Sequence, residues 1–153
     1  MRKDNWNYEI VLDTSSLVKL YHNEIGTSEL EELFTGLTIN AIYLSEISKI
    51  EFSSTILKKV RTKEISKNEA KMTLELFQLD FEKYTFISID SIIIEQARLF
   101  ISKYGMEGLR TLDSIQLSTA VYLTKQIDLF LTADKLLNLL FEAEHLPSSI
   151  KKL

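Results

Sequence analysis

Four short apolar runs recur along the chain, with longer amphipathic segments between them. They fall at about 8–12 ("YEIVL"), 41–44 ("AIYL"), 85–89 ("TFISI") and 128–132 ("DLFLT") and are rich in β-branched and aromatic residues. Strands of that length separated by helical patterns predict an α/β layered fold built on a mostly parallel sheet. The 153 residues suit a single domain spanning 1–153, and the content of 45% hydrophobic and 26% charged residues is enough to bury one core.

The helical segments carry their own start signals. A helix over about 15–22 follows the first strand, and "GTSELEELF" begins another with Thr27 or Ser28 as N-cap and Glu31 placed for a capping box. "SEISKIEFSSTILKKVRTK" spaces Ile47, Ile50, Thr55, Ile56, Leu57 and Val60 near helical period. Ser66 caps the next helix, which brings Met72, Leu76 and Leu79 onto one stripe. Asp90 or Ser91 caps "IIIEQARLFISKY", predicted to bury Ile93, Ala97, Phe100 and Tyr104. "LDSIQLSTAVYLTKQ" and "KLLNLLFEAEH" are the last two helices.

Composition narrows the chemistry. There is no cysteine, so disulfides and thiolate zinc sites are excluded and a reducing cytoplasm is expected. His22 and His145 are the only histidines, and neither is expected to have a catalytic role. No apolar stretch approaches the roughly 18–20 residues that span a bilayer, and the start "MRKDNWNYEIVLD" lacks the apolar core of a signal peptide. The net charge of −4 runs against nucleic-acid binding, yet residues 58–71 hold six Lys or Arg against two Glu. A positive lobe on an acidic body is one reading of that segment, and a solvated helix pair is the other.

The stretch "EIVLDTSSLVKLY" poses the functional question, because a strand-like run breaks on Asp13 and continues into hydroxyls. One of Asp13, Thr14, Ser15 and Ser16 caps the next helix, or Asp13 is a carboxylate of a metal site while the hydroxyls supply the cap. In open parallel sheets ligands bind beyond the carboxyl ends of the strands. Asp13 ends the first strand and Asp134 follows the fourth, so both emerge on one edge if those strands are parallel. Glu51, early in the helix after the second strand, stays near that edge. Asp113 sits near a helix start, and periodicity alone does not place it. Each acid can also be read as a cap or a solvated residue, but Asp13, Glu51 and Asp113 lie among core-forming neighbours, where an unpaired carboxylate is costly.

Taken together, these segments resemble the PIN-domain ribonucleases, particularly the VapC-type toxins of toxin–antitoxin pairs. "VLDTSSLVKLY" looks like the family's opening strand and helix, with its first acid at Asp13; "YLSEISKIEFSSTILKKV" is similar to the segment bearing the second, at Glu51. "YGMEGLRTLDSIQLSTAVYL" is the closest match and puts the third acid at Asp113, and "DLFLTADKLL" supplies the fourth at Asp134, with Thr132 just before it. The extension "MRKDNWN" and the ending "EHLPSSIKKL", a poor strand containing the single proline, depart from the family pattern.

The resemblance implies a three-layer sandwich with a sheet of four to five strands, and hydrolysis of RNA phosphodiesters to 5′-phosphate and 3′-hydroxyl ends. It implies one or two Mg²⁺ or Mn²⁺ ions held by Asp13, Asp113 and Asp134, with Glu51 holding metal or activating water. All-oxygen ligands suit those hard cations. Thr132 and Ser15 are expected to hydrogen-bond the carboxylates, and Arg110, Lys58, Lys59 and Arg61 are candidate RNA contacts. A toxin would bring an antitoxin partner and a homodimer; a non-toxic nuclease of RNA processing and a binding-only domain are the alternatives. A receiver-type phosphoacceptor would need an acid after the third strand, where Asp90 is the one candidate, and paired acids near the first, which Asp13 with Thr14 does not supply.

Overall fold

The structure of the protein, a computed structural model, describes residues 7–148. Chain order is β1 (Asn7–Leu12), α1 (Thr14–Lys19), α2 (Thr27–Gly36), β2 (Thr38–Ser45), α3 (Ser48–Arg61), α4 (Lys67–Leu79), β3 (Tyr84–Ile87), α5 (Ser91–Tyr104), α6 (Thr111–Tyr122), β4 (Leu129–Leu131) and α7 (Lys135–Ala143). The four strands form one sheet in the order β3-β2-β1-β4, and every pairing is parallel. β2 and β3 extend the sheet to one side of β1 while β4 joins on the other. The strand order therefore reverses between β1 and β4, where an open α/β sheet leaves a crevice at its carboxyl edge.

Strand alternation builds the two flanking layers. Ile10, Leu12, Leu129 and Leu131 pack with Leu17, Leu30, Phe52, Ile56 and Phe77 of α1–α4, whereas Val11 and Phe130 pack with Phe100, Leu117, Leu140 and Phe141 of α5–α7. Successive strand residues point to opposite faces, so helices cover both sides and the fold is the expected three-layer sandwich. Leu17 is fully buried, and Leu20, Tyr21 and Phe34 pack against the same core. Ile93, Ala97, Phe100 and Tyr104 are buried as the periodicity predicts.

Two stripes differ from expectation. On α4, Met72, Leu76 and Leu79 are 62%, 49% and 78% exposed, and the buried positions are Ala70 and Phe77. Both rows follow helical spacing. The sheet takes the row with Phe77, whose ring lies 4.2 Å from Phe52 and 5.6 Å from Tyr21 between centroids. On α3, Ile50 and Leu57 likewise face outward while Ser48, Phe52 and Ile56 are buried.

Caps divide in the same way. Ser66 and Glu69 form the reciprocal capping box of α4, and Asp90 caps α5 through the Ile93 amide at 3.0 Å, which occupies the one receiver-like acid in a structural role. α2 has no side-chain cap: its N-cap is Gly26 at φ 96°, a left-handed conformation that suits glycine. Neither Thr27 nor Ser28 is that cap and Glu31 forms no capping box: Thr27 is buried and turns its hydroxyl back to the Lys19 carbonyl at 3.2 Å, closing the α1–α2 loop. At the other end the Phe130 amide donates to the Pro147 carbonyl at 3.0 Å, so the chain after α7 pairs with β4 at this point without a strand among the described residues. The N-terminal extension and the last residues of "EHLPSSIKKL", at 1–6 and 149–153, lie outside the described residues.

Candidate active site

Asp13 is the first residue beyond β1, and its backbone is held to β4 by its own amide donating to the Leu131 carbonyl at 3.2 Å. Its side chain is 4% exposed and surrounded by donors. Oδ1 accepts from the Ser16 amide at 3.0 Å and from the Ser16 and Ser15 hydroxyls, both at 2.8 Å. Oδ2 accepts from Thr132 Oγ1 at 2.6 Å and Ser15 Oγ at 2.7 Å. Burial pushes this carboxyl up from its ordinary range, and the donors from Thr132, Ser16 and Ser15 pull against it.

Asp13 thus caps α1 itself, against the expectation that neighbouring hydroxyls would do so and leave the acid apart. A carboxylate has lone pairs on two oxygens, which lets one cap the helix while the other binds across the sheet to Thr132. Asp134 behaves similarly: it caps α7 through the Leu137 amide at 2.7 Å, and its own amide donates to Thr132 Oγ1 at 3.0 Å. Capping and location in the site are compatible for both residues, because the helix after each strand begins at the carboxyl edge.

Glu51 and Asp113 reach that edge from the first turns of α3 and α6. Together with Asp13 and Asp134 they line one cleft of about 280 Å³, which also includes Thr14, Ser15 and Gln116. Asp113, which periodicity left unplaced, is brought in because α6 lies against the sheet on the α5–α7 side, where Leu117 and Ala120 share a core cluster with Val11 of β1, Tyr43 of β2 and Phe130 of β4. Its carboxyl is pushed up to about 6 by partial burial and by the charges of Asp134, Glu51 and Asp13, with Arg110 acting in the opposite sense. Negative potential is therefore concentrated where the four acids converge. The donor set is all oxygen, which suits a hard divalent cation. Among the described residues no group of three or more acidic or histidine side chains is already gathered to hold one ion. Mg²⁺ is commonly held by one or two carboxylates, with waters and substrate phosphates completing the shell, so the cleft fits it in that manner.

Thr132 and Ser15 both bond Asp13, as expected, and Ser15 Oγ also accepts from the Ala133 amide at 2.9 Å. Ser16, Thr14, Ser48 and Gln116 were not anticipated as part of the site. A helix-spacing signal existed for two of them: Ser48 is three residues before Glu51, and Gln116 three after Asp113. Lys19 and Glu24 also line the cleft, joined at 3.1 Å.

The basic candidates are dispersed. Arg110 directly precedes α6 and is exposed, close enough to Asp113 to act on its charge. Lys58, Lys59 and Arg61 do not line the cleft. They lie at the far end of α3, seven to ten residues or roughly 10–15 Å along the axis from Glu51. Lys59 is engaged by Glu24 at 3.1 Å and Glu64 at 3.2 Å. Neither His22 nor His145 lines the cleft.

Residues 10–139 match the family model described as the PIN domain. A search of curated proteins found no match. Among solved structures, the chain is similar to VapC20 of Mycobacterium tuberculosis, described as a sarcin-ricin loop cleaving toxin, with TM-score 0.66 and 14% identity over 86% of this chain and 94% of that one. FitAcB of Neisseria gonorrhoeae gives TM-score 0.68 and 16% identity over 92% and 96% of the two chains. VapBC2 of Rickettsia felis, bound to a DNA fragment from its promoter, gives 0.58 and 17% over 92% and 97%. At such identities the likeness to these structures is one of fold.

Proposed function

The chain belongs to the PIN domain family, and on that premise we propose that it is a divalent-metal-dependent endoribonuclease acting as the toxin of a type II toxin–antitoxin pair. The observation that carries the reading is the convergence of Asp13, Glu51, Asp113 and Asp134 on one cleft at the carboxyl edge of the sheet. The toxin assignment is supported by the fold shared with VapC20 and with FitAcB and VapBC2. It implies a small antitoxin partner, a homodimer and a cytoplasmic location. No helix among the described residues is long and apolar enough to cross a membrane.

Asp13, Asp113 and Asp134 would hold one or two Mg²⁺ or Mn²⁺ ions, directly or through water. An ion held by these carboxylates would lower the pKa of the attacking water and offset charge on the scissile phosphate. Asp13 is preorganised for its task, since Ser15, Ser16 and Thr132 fix both of its oxygens before any ligand arrives. Glu51 orients the attacking water or takes its proton. The ribose 2′-hydroxyl is not the nucleophile, so the products carry 5′-phosphate and 3′-hydroxyl ends. Arg110, exposed beside Asp113, would be the residue to meet a substrate phosphate.

The test is cleavage of RNA by purified protein with Mn²⁺, compared with an Asp13→Asn variant. Loss of cleavage in the variant, with 5′-phosphate ends from the wild type, is the expected result. Equal cleavage by both proteins would exclude this site, and 2′,3′-cyclic phosphate ends would exclude the mechanism. Expression without the antitoxin should arrest growth, and unimpaired growth would separate the nuclease from the toxin role.

A further inference from the structure

Gln116 is 4% exposed and lies on α6 one turn after Asp113. Its side-chain nitrogen stands 2.8 Å from Glu51 Oε1 and 3.1 Å from both Thr14 Oγ1 and Ser48 Oγ. Thr14 Oγ1 is in turn 3.0 Å from Glu51 Oε1 and 3.0 Å from Ser48 Oγ. Ser48 is fully buried and Thr14 nearly so. The cluster joins three elements that do not adjoin in sequence: α1, which Asp13 caps; α3, which carries Glu51; and α6, which carries Asp113.

Hydrogen counting sets the direction of these bonds. An amide nitrogen has two hydrogens and a threonine hydroxyl has one. The reverse orientation of the amide would set its oxygen against a carboxylate oxygen at 2.8 Å, two acceptors in contact. With the nitrogen inward, one hydrogen goes to Glu51 Oε1 and the other to Ser48 Oγ, while the Thr14 hydroxyl donates to Glu51 Oε1. These three hydrogens are each used once, and Glu51 Oε1 receives two of them. Oε2 receives none among the described residues.

We propose that Gln116 is a positioning residue, which pins Glu51 through Oε1 so that Oε2 is the oxygen left for a cation or water, and which ties α6 to α3 and α1 so that the acids keep their spacing. This inference rests on the metal-nuclease reading of the cleft for its consequence, but not for its geometry. Leaving Glu51 Oε1 without its donors would let the half-buried side chain take other rotamers, and the loss would be felt at the metal rather than in the core. Mutation of groups that orient metal ligands typically costs about 10–100-fold in affinity or activity.

Two measurements test it on the full-length protein. Without metal, the side-chain amide signals of Gln116 in ¹⁵N-labelled protein should be protected from exchange, and should move in the Glu51→Gln variant, which keeps the shape but removes the charge and turns one acceptor oxygen into an NH₂ donor. With Mn²⁺ alone, titration calorimetry should show about 10–100-fold weaker binding for Gln116→Met. The same substitution should add little when Glu51 is already replaced by Gln, because the two act as one unit. Gln116 signals that ignore Glu51→Gln, or an undiminished further loss in the double variant, would overturn the proposal. A wild-type protein that binds no Mn²⁺ would instead defeat the functional reading, and the amide signals would still decide whether Gln116 holds Glu51.

Discussion

Thr132 Oγ1 donates to Asp13 Oδ2 at 2.6 Å, bridging the ends of the two strands, β4 and β1, between which the sheet order reverses. Both residues are about 4% exposed, so the bond is shielded from water. Thr132→Val keeps the shape and removes both the donor to Asp13 and the acceptor of the Asp134 amide. Hydrogen bonds to charged groups contribute about 1.5–3 kcal/mol, and the metal-free variant should lose roughly that much in urea unfolding at neutral pH. Thr132→Ser should retain most of it.

Asp113 carries a pH dependence whose sign follows from its environment. Its carboxyl is pushed up to about 6 in the folded protein against 3.8 ordinarily, first by burial and then by Asp134, Glu51 and Asp13. Between those values the folded state keeps a proton that the unfolded chain releases. The stabilisation is therefore complete below 3.8, is lost as pH rises to about 6 and stays lost above it. Asp113→Asn should raise the metal-free Tm at neutral pH, with the difference shrinking as the pH falls toward 3.8. The wild type should also bind Mn²⁺ more weakly as the pH falls through about 6, since proton and cation compete.

The two faces of α4 should differ sharply in tolerance. Phe77 is 3% exposed within the aromatic cluster with Tyr21 and Phe52, and Phe77→Ala should cost about 3–5 kcal/mol. Leu79 on the opposite row is 78% exposed, and Leu79→Lys should stay within about 0.5 kcal/mol. Thermal unfolding of the two variants side by side is the check.

Ser66 offers a third measurement away from the cleft. Its hydroxyl accepts from the Glu69 amide at 3.1 Å, and the Glu69 carboxylate accepts from the Ser66 amide at 3.1 Å. Ser66→Ala should lower stability by about 0.5–2 kcal/mol in denaturant titration while leaving Mn²⁺ binding unchanged.

The alternation of short apolar runs with helical segments was sufficient to infer the parallel sheet, because each run of β-branched and aromatic residues is a local property of the chain. The placement of Asp13 and Asp134 followed from it, since residues that end parallel neighbours must share an edge. Asp113 did not follow. Two helices, α5 and α6, lie between β3 and β4, and how they pack is a long-range quantity that no local pattern encodes.

The same division runs through the rest of the molecule. By itself the sequence determined the order of the elements, the cap at Ser66 and the buried row of α5, while the family resemblance named four acids as candidates; the capping box it suggested, at Glu31 of α2, did not form, and the one that did is at Ser66 and Glu69. Only the tertiary structure decided which of two apolar rows α3 and α4 would bury, that Asp13 would cap α1 while bonding Thr132, and that Gln116 would meet Glu51 across 65 residues of chain. Periodicity records what each segment is able to bury. What it does bury depends on the shapes that face it once the strands have taken their order.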